Sequence, residues 1–416
     1  MIGLVDGNNF FVSCERILNP SLDGKPVAVL SNKDGCVVSR SYEFKALGIP
    51  MGTPVFKLKP DIKRLGLVLK SGNKALYSDI SCRVMACLRN FCDIEQYSID
   101  EAFIYPQDVD YNDLENFGIV LRKEVLKRVG IPCGVGFAPT KTLAKIANHI
   151  AKKSPSGVFV LPKNPKEILS QTPIEEVWGV GKKLAPRMRT YGIFTAQDLA
   201  DFNEDRLHRY FSINTVRKAM ELRGEACLES DVEQDDIELS QSLTYSRVFG
   251  KPVCELDEIL ESVAHYASKV AEKLRAEFQR ASGAEVSLVY YPEYKPKLEG
   301  GVVSAKVKFE NSTDDTLKII KALKEKTKEI FIKGRRYKKT GVTLFGLENG
   351  AIQLDLFGKN PEPRSKLFQA VDEVNRRFGA GTLIAVSEGL DKKWKMPTEN
   401  QSPSYTTSWK DIPIVL

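Results

Sequence analysis

Apolar residues along the first 164 positions follow both strand and helix spacing, which predicts a mixed α and β unit. The segment IGLVD (2–6) is a short apolar run that ends at an acid, as a buried strand would. Residues 19–77 alternate two short strands, PVAVL and CVVSR, with Gly/Pro turns and a small helix around YEFKALGI. Further on, the pattern predicts a helix over 75–91, an amphipathic helix closed by Gly130, the strand IPCGVGFA and the helix PTKTLAKIANHIAKK.

The second half of the chain changes pattern twice. Residues 165–224 predict short helices only, and the acidic stretch ESDVEQDDIE (229–238) predicts a linker. After it the pattern is strand, helix, strand, strand, helix, strand, with helices over Glu255–Arg280 and Thr313–Phe331. This order is the split βαβ arrangement. Residues 351–416 are rich in Pro, Gly, Ser and Asn and predict a tail with one helix near Lys366–Phe378.

Length and composition indicate an ordinary globular protein of several domains. The 416 residues are too many for one core, and 42% apolar with 28% charged residues is typical of folded chains. The 61 Lys and Arg against 54 Asp and Glu leave a net charge of +7, which permits an anionic partner without requiring one. The sequence contains neither an apolar run of eighteen residues nor a cationic signal segment, so we expect a soluble cytoplasmic protein.

Two adjacent acids, Asp100 and Glu101, stand in the otherwise apolar segment EQYSIDEAFIY (95–105). Adjacent carboxylates beside an apolar core need a cation, because desolvation and mutual repulsion both favour the protonated forms. The segment has no Lys or Arg, so the charge must come from elsewhere in the chain or from a metal. If the fold brings Asp6 to the pair, three carboxylates could hold two divalent cations, and Mg²⁺ suits oxygen ligands. Alternatively, Asp100 caps a turn and Glu101 faces water.

Several motifs resemble those of Y-family DNA polymerases, the lesion-bypass class. The two acidic signatures are DGNNFFVSCE at the start and YSIDEAF about ninety residues later. The resemblance continues through LSNKDGCVVSRSYEFKALGI, GVGFAPTKTLAKIANHIAKK and VWGVGKK, and it reaches QLDLF and SPSYTTSW in the tail. It covers essentially the full length, in the same order, and is closest to the UmuC branch of that family.

The resemblance implies an α+β, multidomain, right-hand polymerase. The expected domains are a palm (1–18 and 76–164), small fingers (19–75), a helical thumb with a helix-hairpin-helix (165–230), a linker (231–239), a split βαβ little finger (240–350) and a C-terminal tail (351–416). The implied activity is error-prone addition of dNTPs to a primer 3′-hydroxyl by a two-metal mechanism. It would lack proofreading and would bypass damaged template bases in the SOS response.

The resemblance also assigns the residues of the polymerase site. Catalysis and two Mg²⁺ ions would depend on Asp6, Asp100 and Glu101, with the Gly7 carbonyl as a further metal ligand. An aromatic residue at position 11 would stack under the incoming sugar and exclude a 2′-hydroxyl, and Phe11 keeps that steric wall. The remaining nucleotide contacts would be Ser39, Tyr42, Lys45 and Lys152.

DNA contacts are expected in the thumb and the little finger. In VWGVGKK, two glycines leave backbone amides free to meet a DNA phosphate at a helix start, and two lysines add charge. The run KGRRYKK (333–339) would lie along the DNA backbone and hold position without reading sequence. The expected contact residues are Gly179, Gly181, Lys182, Lys183, Lys333, Arg335, Arg336, Lys338 and Lys339.

The tail motif QLDLF resembles the peptide by which bacterial polymerases dock on the sliding clamp. Its contact residues would be Gln353, Leu354, Leu356 and Phe357. The other implied partners are primer–template DNA, dNTPs, a UmuD′-like accessory subunit and a RecA filament, and no membrane is implied.

Three alternatives share parts of this pattern. A DinB-type enzyme of the same family would carry the same acids. A palm-fold nucleotide cyclase would also use paired acids and two metals, although the thumb and little-finger patterns argue against it. A DNA-binding scaffold without catalysis would keep the acids for structure alone.

Overall fold

A computed structural model of the chain describes residues 1–31, 34–228, 241–292, 301–349, 364–392, 394 and 400–413. The chain divides into two compact units, Met1–Asp235 with Thr398–Leu416, and Asp236–Pro397. No helix in these described ranges is long and apolar enough to cross a bilayer. The predicted linker (231–239) lies outside the described residues, and the predicted domain boundaries stay predictions.

The first unit contains strands and helices that alternate along the chain, followed by short helices only. In chain order they are β1 (Ile2–Gly7), α1 (Phe10–Leu18), β2 (Val27–Leu30), β3 (Val37–Arg40), α2 (Tyr42–Ala46), α3 (Val55–Leu58), β4 (Val68–Ser71), α4 (Lys74–Arg89), β5 (Asp93–Gln96), β6 (Glu101–Tyr105), α5 (Leu114–Val129), β7 (Cys133–Ala138), α6 (Lys141–Ala151), β8 (Val158–Val160), α7 (Lys166–Gln171), α8 (Leu184–Arg189), α9 (Ala196–Asp201), α10 (Glu204–Tyr210) and α11 (Ile213–Leu222).

Two sheets organise this unit. The larger has the strand order β5-β6-β1-β7-β8, antiparallel except where β8 runs parallel to β7. Helices α4 and α5 pack together against one face, and α6 packs on β7 and β1. The smaller sheet has the order β3-β2-β4, with its own apolar core. The strands and helices predicted from periodicity in this unit are confirmed.

Helix α6 lies unusually close to the large sheet because β7 carries a glycine at the contact. A Cβ at Gly136 would stand 2.1 Å from the backbone nitrogen of Asn148. The Asn148 side-chain amide donates to the carbonyls of Leu4 (3.0 Å) and Gly134 (2.9 Å), which are on neighbouring strands. This buried amide therefore fixes the helix to two strands at once.

The second unit is the split βαβ arrangement that the sequence predicts. Its elements are β9 (Ser242–Val253), α12 (Leu256–Ala276), β10 (Gln279–Tyr290), β11 (Val302–Thr313), α13 (Thr316–Ile330), β12 (Tyr337–Asn349) and α14 (Arg364–Phe378). The sheet order is β11-β10-β12-β9, with all neighbours antiparallel.

Two predicted helix bounds in this unit are wrong. The helix predicted over Glu255–Arg280 ends at Ala276, because Phe278 has a left-handed φ of 53° and Gln279 already pairs with Asn349 in the sheet. The helix predicted from Thr313 begins at Thr316, where the Asp315 side chain accepts the first backbone amides. The predicted tail helix is confirmed as α14.

We predict that Gly136→Ala lowers the free energy of unfolding by about 3 kcal/mol, because the new Cβ meets helix backbone that cannot rotate away. Urea unfolding of the full chain measures it. Gly181→Ala is the matched control, since nothing lies within 4 Å of its Cβ position. Equal stability of the two variants would contradict the close approach of α6.

Candidate active site

The strand pairing of the large sheet brings the predicted acids together. Asp6 of β1 is the cross-strand partner of Glu101 of β6. The Gly7 amide donates to the Asp100 carbonyl at 2.9 Å. Directly paired residues project to the same face of a sheet. The fold therefore brings Asp6 next to the adjacent acids Asp100 and Glu101, as the sequence analysis required.

The counter-charge for these acids comes from helix α6 and the residue that follows it. Lys152 Nζ lies 2.5 Å from Asp6 Oδ2, and Lys145 Nζ lies 2.9 Å from Glu101 Oε1. Our sequence interpretation assigned this counter-charge to magnesium, and it missed Lys145 altogether. The available signal was helical spacing, because Lys145 stands seven residues before Lys152 and so shares its face.

Three aromatic rings surround the Lys145 ammonium. Its Nζ lies 4.3 Å from the ring centre of Tyr97, 5.1 Å from that of Trp178 and 5.9 Å from that of Phe103. The Trp178 indole donates to the Tyr97 hydroxyl at 3.2 Å. Cation–π attraction therefore holds Lys145 in place beside Glu101.

Burial raises the pKa of Asp6 to about 6. The nearby Lys152 opposes this rise, whereas the carboxylates of Glu101 and Asp100 add to it. Asp100 has its own local partner, because the Ser98 hydroxyl donates to its Oδ1 at 2.7 Å. The carboxylates are thus close enough to repel each other, and each has a separate hydrogen-bond donor.

The donor chemistry of these residues fits a divalent cation, but their side chains are turned towards protein partners. No group of three or more His, Cys, Asp or Glu side chains in the described part of the chain is arranged to hold a metal ion. The lysine ammonium groups neutralise carboxylate oxygens of the type that a hard divalent ion prefers. A metal ion bound at Asp6 Oδ2 or Glu101 Oε1 would therefore compete with the lysine at that oxygen.

Further cations lie near Asp6. Lys45 of α2 has its pKa lowered by burial first, and then by the charges of Arg40 and Lys152, while Asp6 raises it. Its ammonium lies 5.1 Å from the centre of the Tyr42 ring. This collection of positive charge suits an anionic ligand next to the acids. Arg40 was absent from our predicted contacts, although it is part of the SRSYEFK motif.

Phe11 lies on α1, five residues after Asp6. Its ring stacks on Tyr77 of α4, with ring centres 4.6 Å apart and an interplanar angle of 15°. Ser39 of β3 donates to the Asn9 carbonyl at 3.4 Å, so it lies next to the start of α1. Tyr77 was not among the predicted site residues, because nothing local in the sequence points to it.

The predicted DNA contacts lie in the turn before α8, and in the turn before β12 and the first residues of that strand. Gly179 has φ 77°, and the Leu184 amide donates to the Gly181 carbonyl as α8 begins. In the second unit, Arg335 lies over the Tyr290 ring, and Arg336 and Lys338 lie over Tyr291. Lys182, Lys183 and Lys333 are exposed, and Lys339 is half-buried at the start of β12.

The predicted clamp contacts Gln353, Leu354, Leu356 and Phe357 lie outside the described residues.

The raised pKa of Asp6 predicts a pH-dependent stability. The pKa of the Asp6 carboxyl is near 6 in the folded chain and 3.8 in the unfolded chain, so the folded state binds the Asp6 proton more tightly. The stabilisation of the folded state by protonated Asp6 is therefore complete below pH 4 and is lost as pH rises through 6. Relative to Asp6→Asn, the free energy of unfolding of the wild type should fall by up to about 3 kcal/mol between pH 4 and 7. Urea unfolding in EDTA measures it, and parallel pH profiles would contradict it.

Comparison with known families agrees with this architecture. The impB/mucB/samB family matches residues 5–149, and its C-terminal domain matches residues 240–356. The HHH motif of the same family matches residues 162–193, which confirms the predicted helix-hairpin-helix. Residues 365–415 match a domain of unknown function.

Full-length relatives are found among curated proteins. The chain is 40% identical to the protein UmuC of Salmonella typhimurium, over 99% of both chains. It is 37% identical to MucB of Escherichia coli, over 100% of this chain and 99% of that protein. It is 29% identical to DNA polymerase IV 1 of Bacillus subtilis, over 94% of this chain and 93% of that protein.

Solved structures show the same fold. A Y-family DNA polymerase chimera of Dbh and Dpo4 has a TM-score of 0.68 at 23% identity, over 84% of this chain and 100% of that one. An insertion ternary complex of Dbh DNA polymerase has a TM-score of 0.52 at 24% identity, over 83% of this chain and 98% of that one. The chain therefore belongs to the impB/mucB/samB family, with UmuC among its relatives, and has the fold of Y-family DNA polymerases.

Proposed function

We propose that the chain is an error-prone translesion DNA polymerase that adds dNTPs to a primer 3′-hydroxyl. The observation that carries the proposal is the placement of Asp6 opposite Glu101, with Lys45 and Lys152 beside them. Family membership, and the DNA polymerases among its relatives, support the same activity. Such an enzyme would act in the cytoplasm, in the SOS response, and would lack proofreading.

Family membership implies a general dependence on divalent metal ions. We assign two Mg²⁺ ions to Asp6, Asp100, Glu101 and the Gly7 carbonyl. When bound, these ions would make the primer hydroxyl more acidic and neutralise the leaving pyrophosphate. The chain supports this chemistry by keeping Asp6 partly buried, so that few waters compete for its oxygens.

The cations beside the acids would hold the triphosphate. Lys45 and Lys152 each supply a positive charge, and the hydroxyls of Ser39 and Tyr42 supply neutral donors. Lys152 has two roles in this scheme, because it neutralises Asp6 in the free chain and would exchange Asp6 for a phosphate oxygen when nucleotide binds. Arg40, which our sequence analysis missed, adds charge to the same place.

Phe11 would select the sugar, and the basic surfaces would hold the DNA. The Phe11 ring stacks on Tyr77 and would form a wall against a 2′-hydroxyl. The glycine turn at 179–181 and the run 333–339 would contact phosphates and fix position without reading bases. We assign primer–template DNA and dNTPs as substrates. A sliding clamp that binds residues 353–357, a UmuD′-like subunit and a RecA filament would be partners.

Primer extension tests the proposal most simply. We expect Asp100→Asn to reduce the rate of single-nucleotide incorporation at least about 100-fold, because it removes a charged metal ligand. The exposed Asp205→Asn of α10 is the matched control and should leave the rate unchanged. Wild-type inactivity, even with clamp and accessory subunit, would favour the scaffold alternative, and full activity of Asp100→Asn would refute its metal role.

Salt dependence tests the assigned DNA surface. Each phosphate contact changes the slope of log K against log [salt] by about 0.9, so Arg336→Gln with Lys338→Gln should reduce the slope by about 2. Fluorescence anisotropy with a primer–template duplex at several salt concentrations measures it. The matched control replaces two exposed lysines of α13, Lys321 and Lys328, with Gln. If both pairs of substitutions reduced the salt slope equally, DNA binding would depend only on the net charge of the chain, which would contradict the assigned surface.

A further inference from the structure

The tyrosine that backs Phe11 is itself anchored at its far end. Tyr77 is 2% exposed, and its hydroxyl donates to Glu15 Oε1 at 2.7 Å. Glu15 is on α1, four residues after Phe11, so both side chains lie on the same helical face. The Phe11 ring thus stacks on the face of the Tyr77 ring, and the Glu15 carboxylate holds the hydroxyl of the same tyrosine.

Glu15 is an unusual anchor because it is a buried carboxylate. It is 1% exposed, and burial raises its pKa, while hydrogen bonds from Tyr77 and Ser402 and the charge of Lys70 oppose the rise. Both hydrogen-bond donors are uncharged hydroxyls. A buried carboxylate depends strongly on each donor it has, since a lost partner leaves its oxygens without compensation.

The second donor comes from the far end of the chain. Ser402 Oγ donates to Glu15 Oε1 at 3.1 Å. It belongs to residues 400–413, which we name the C-terminal strap. Ser402 is 5% exposed, and its Oγ accepts from the Asn73 side-chain amide at 3.0 Å. Asn73 caps the N terminus of α4, the helix that carries Tyr77.

The strap is attached along its length and does not touch the first unit at Ser402 alone. The Ser71 amide donates to the Asn400 carbonyl at 2.9 Å, and the Asn400 amide donates to Ser71 Oγ at 3.1 Å. The Asn73 side-chain amide also donates to the Pro403 carbonyl at 3.2 Å. Tyr405 packs against the apolar core that includes Tyr77 and Val12. These contacts fix the position of the Ser402 hydroxyl.

We propose that the C-terminal strap positions Phe11, with Ser402 acting through Glu15 and Tyr77 to set how strictly the site excludes ribonucleotides. This inference rests on the proposed role of Phe11 as the wall against a 2′-hydroxyl. Rejection of one hydroxyl depends on a ring that does not retreat, and a tyrosine bonded at its far end is a firmer support than one held by packing alone. Ser402 and Tyr77 are positioning residues, since neither is assigned a contact with the substrate.

The test is single-nucleotide incorporation by the full-length chain on a primer–template duplex, with matched dNTP and rNTP. Ser402→Ala should raise the ratio of rNTP to dNTP kcat/KM by about 10-fold, the effect of losing one hydrogen bond to a charged group. Tyr77→Phe keeps the ring, removes the hydroxyl and should raise the ratio similarly. Ser402→Thr keeps the hydroxyl and should restore the wild-type ratio. Thr407→Ala, at an exposed position of the strap, is the matched control.

The ratio of rNTP to dNTP kcat/KM distinguishes a role of the strap in positioning Phe11 from a role in protein stability alone. A purely structural role would lower incorporation of both nucleotides together with the melting temperature and leave their ratio unchanged, which would overturn the proposal. Phe11→Ala separates the two levels of inference. If it does not raise the ratio, the proposed role of Phe11 fails. If it raises the ratio while Ser402→Ala and Tyr77→Phe do not, the role of Phe11 stands and that of the strap is refuted. If Ser402→Ala does not fold, Tyr77→Phe alone decides.

Discussion

The antiparallel pairing of β1 with β6 is the contact on which the site depends. It places Asp6 opposite Glu101 and ties Gly7 to Asp100, so that acids from distant parts of the chain share one edge of a partly buried surface. Such a cluster is unfavourable unless positive charge lies within a few ångströms. The sheet therefore requires a helix that brings cations, and α6 meets this requirement by lying on Gly136.

Two lysines of the chain supply positive charge to these carboxylates. Lys145 pairs with Glu101 under three aromatic rings, and Lys152 pairs with Asp6 at a more exposed position. The two pairs differ in how easily they can separate. Lys145 is enclosed, whereas Lys152 is one-third exposed on its side chain and lies near Lys45, where an anionic ligand would draw it away. Under the proposed function, nucleotide binding would therefore free the Asp6 carboxylate from Lys152.

Much of the architecture could be predicted from the sequence, because helix and strand periodicity are local signals. The central strands, the long helices and the split βαβ order of the second unit follow from them. The position of the acids could be inferred only from resemblance, since no spacing rule joins residue 6 to residue 101. Helix ends were less predictable, as the turn at Phe278 shows, because pairing with β12 overrode helix propensity.

Lys145 and Ser402, two of the residues that the sequence analysis missed, have partners that are remote in the chain. Lys145 is 44 positions from Glu101, and in the sequence it resembles an ordinary solvated lysine. Ser402 is 387 positions from Glu15, and although it begins the SPSYTTSW motif, no local signal in the sequence pairs it with that carboxylate. Such tertiary contacts cannot be inferred from the sequence, because only the structure shows which carboxylate is buried and therefore needs a hydrogen-bond donor.

The most direct test of the site is a count of divalent ions bound by these carboxylates. Mn²⁺ binding, followed by electron paramagnetic resonance, should be measured on the full chain with a dideoxy-terminated primer–template and the next dNTP. We expect about two ions per wild-type chain, in keeping with a two-metal site, and at most one in Asp6→Asn or Glu101→Gln. Unchanged stoichiometry and affinity in both variants would show that these acids do not form a common metal site.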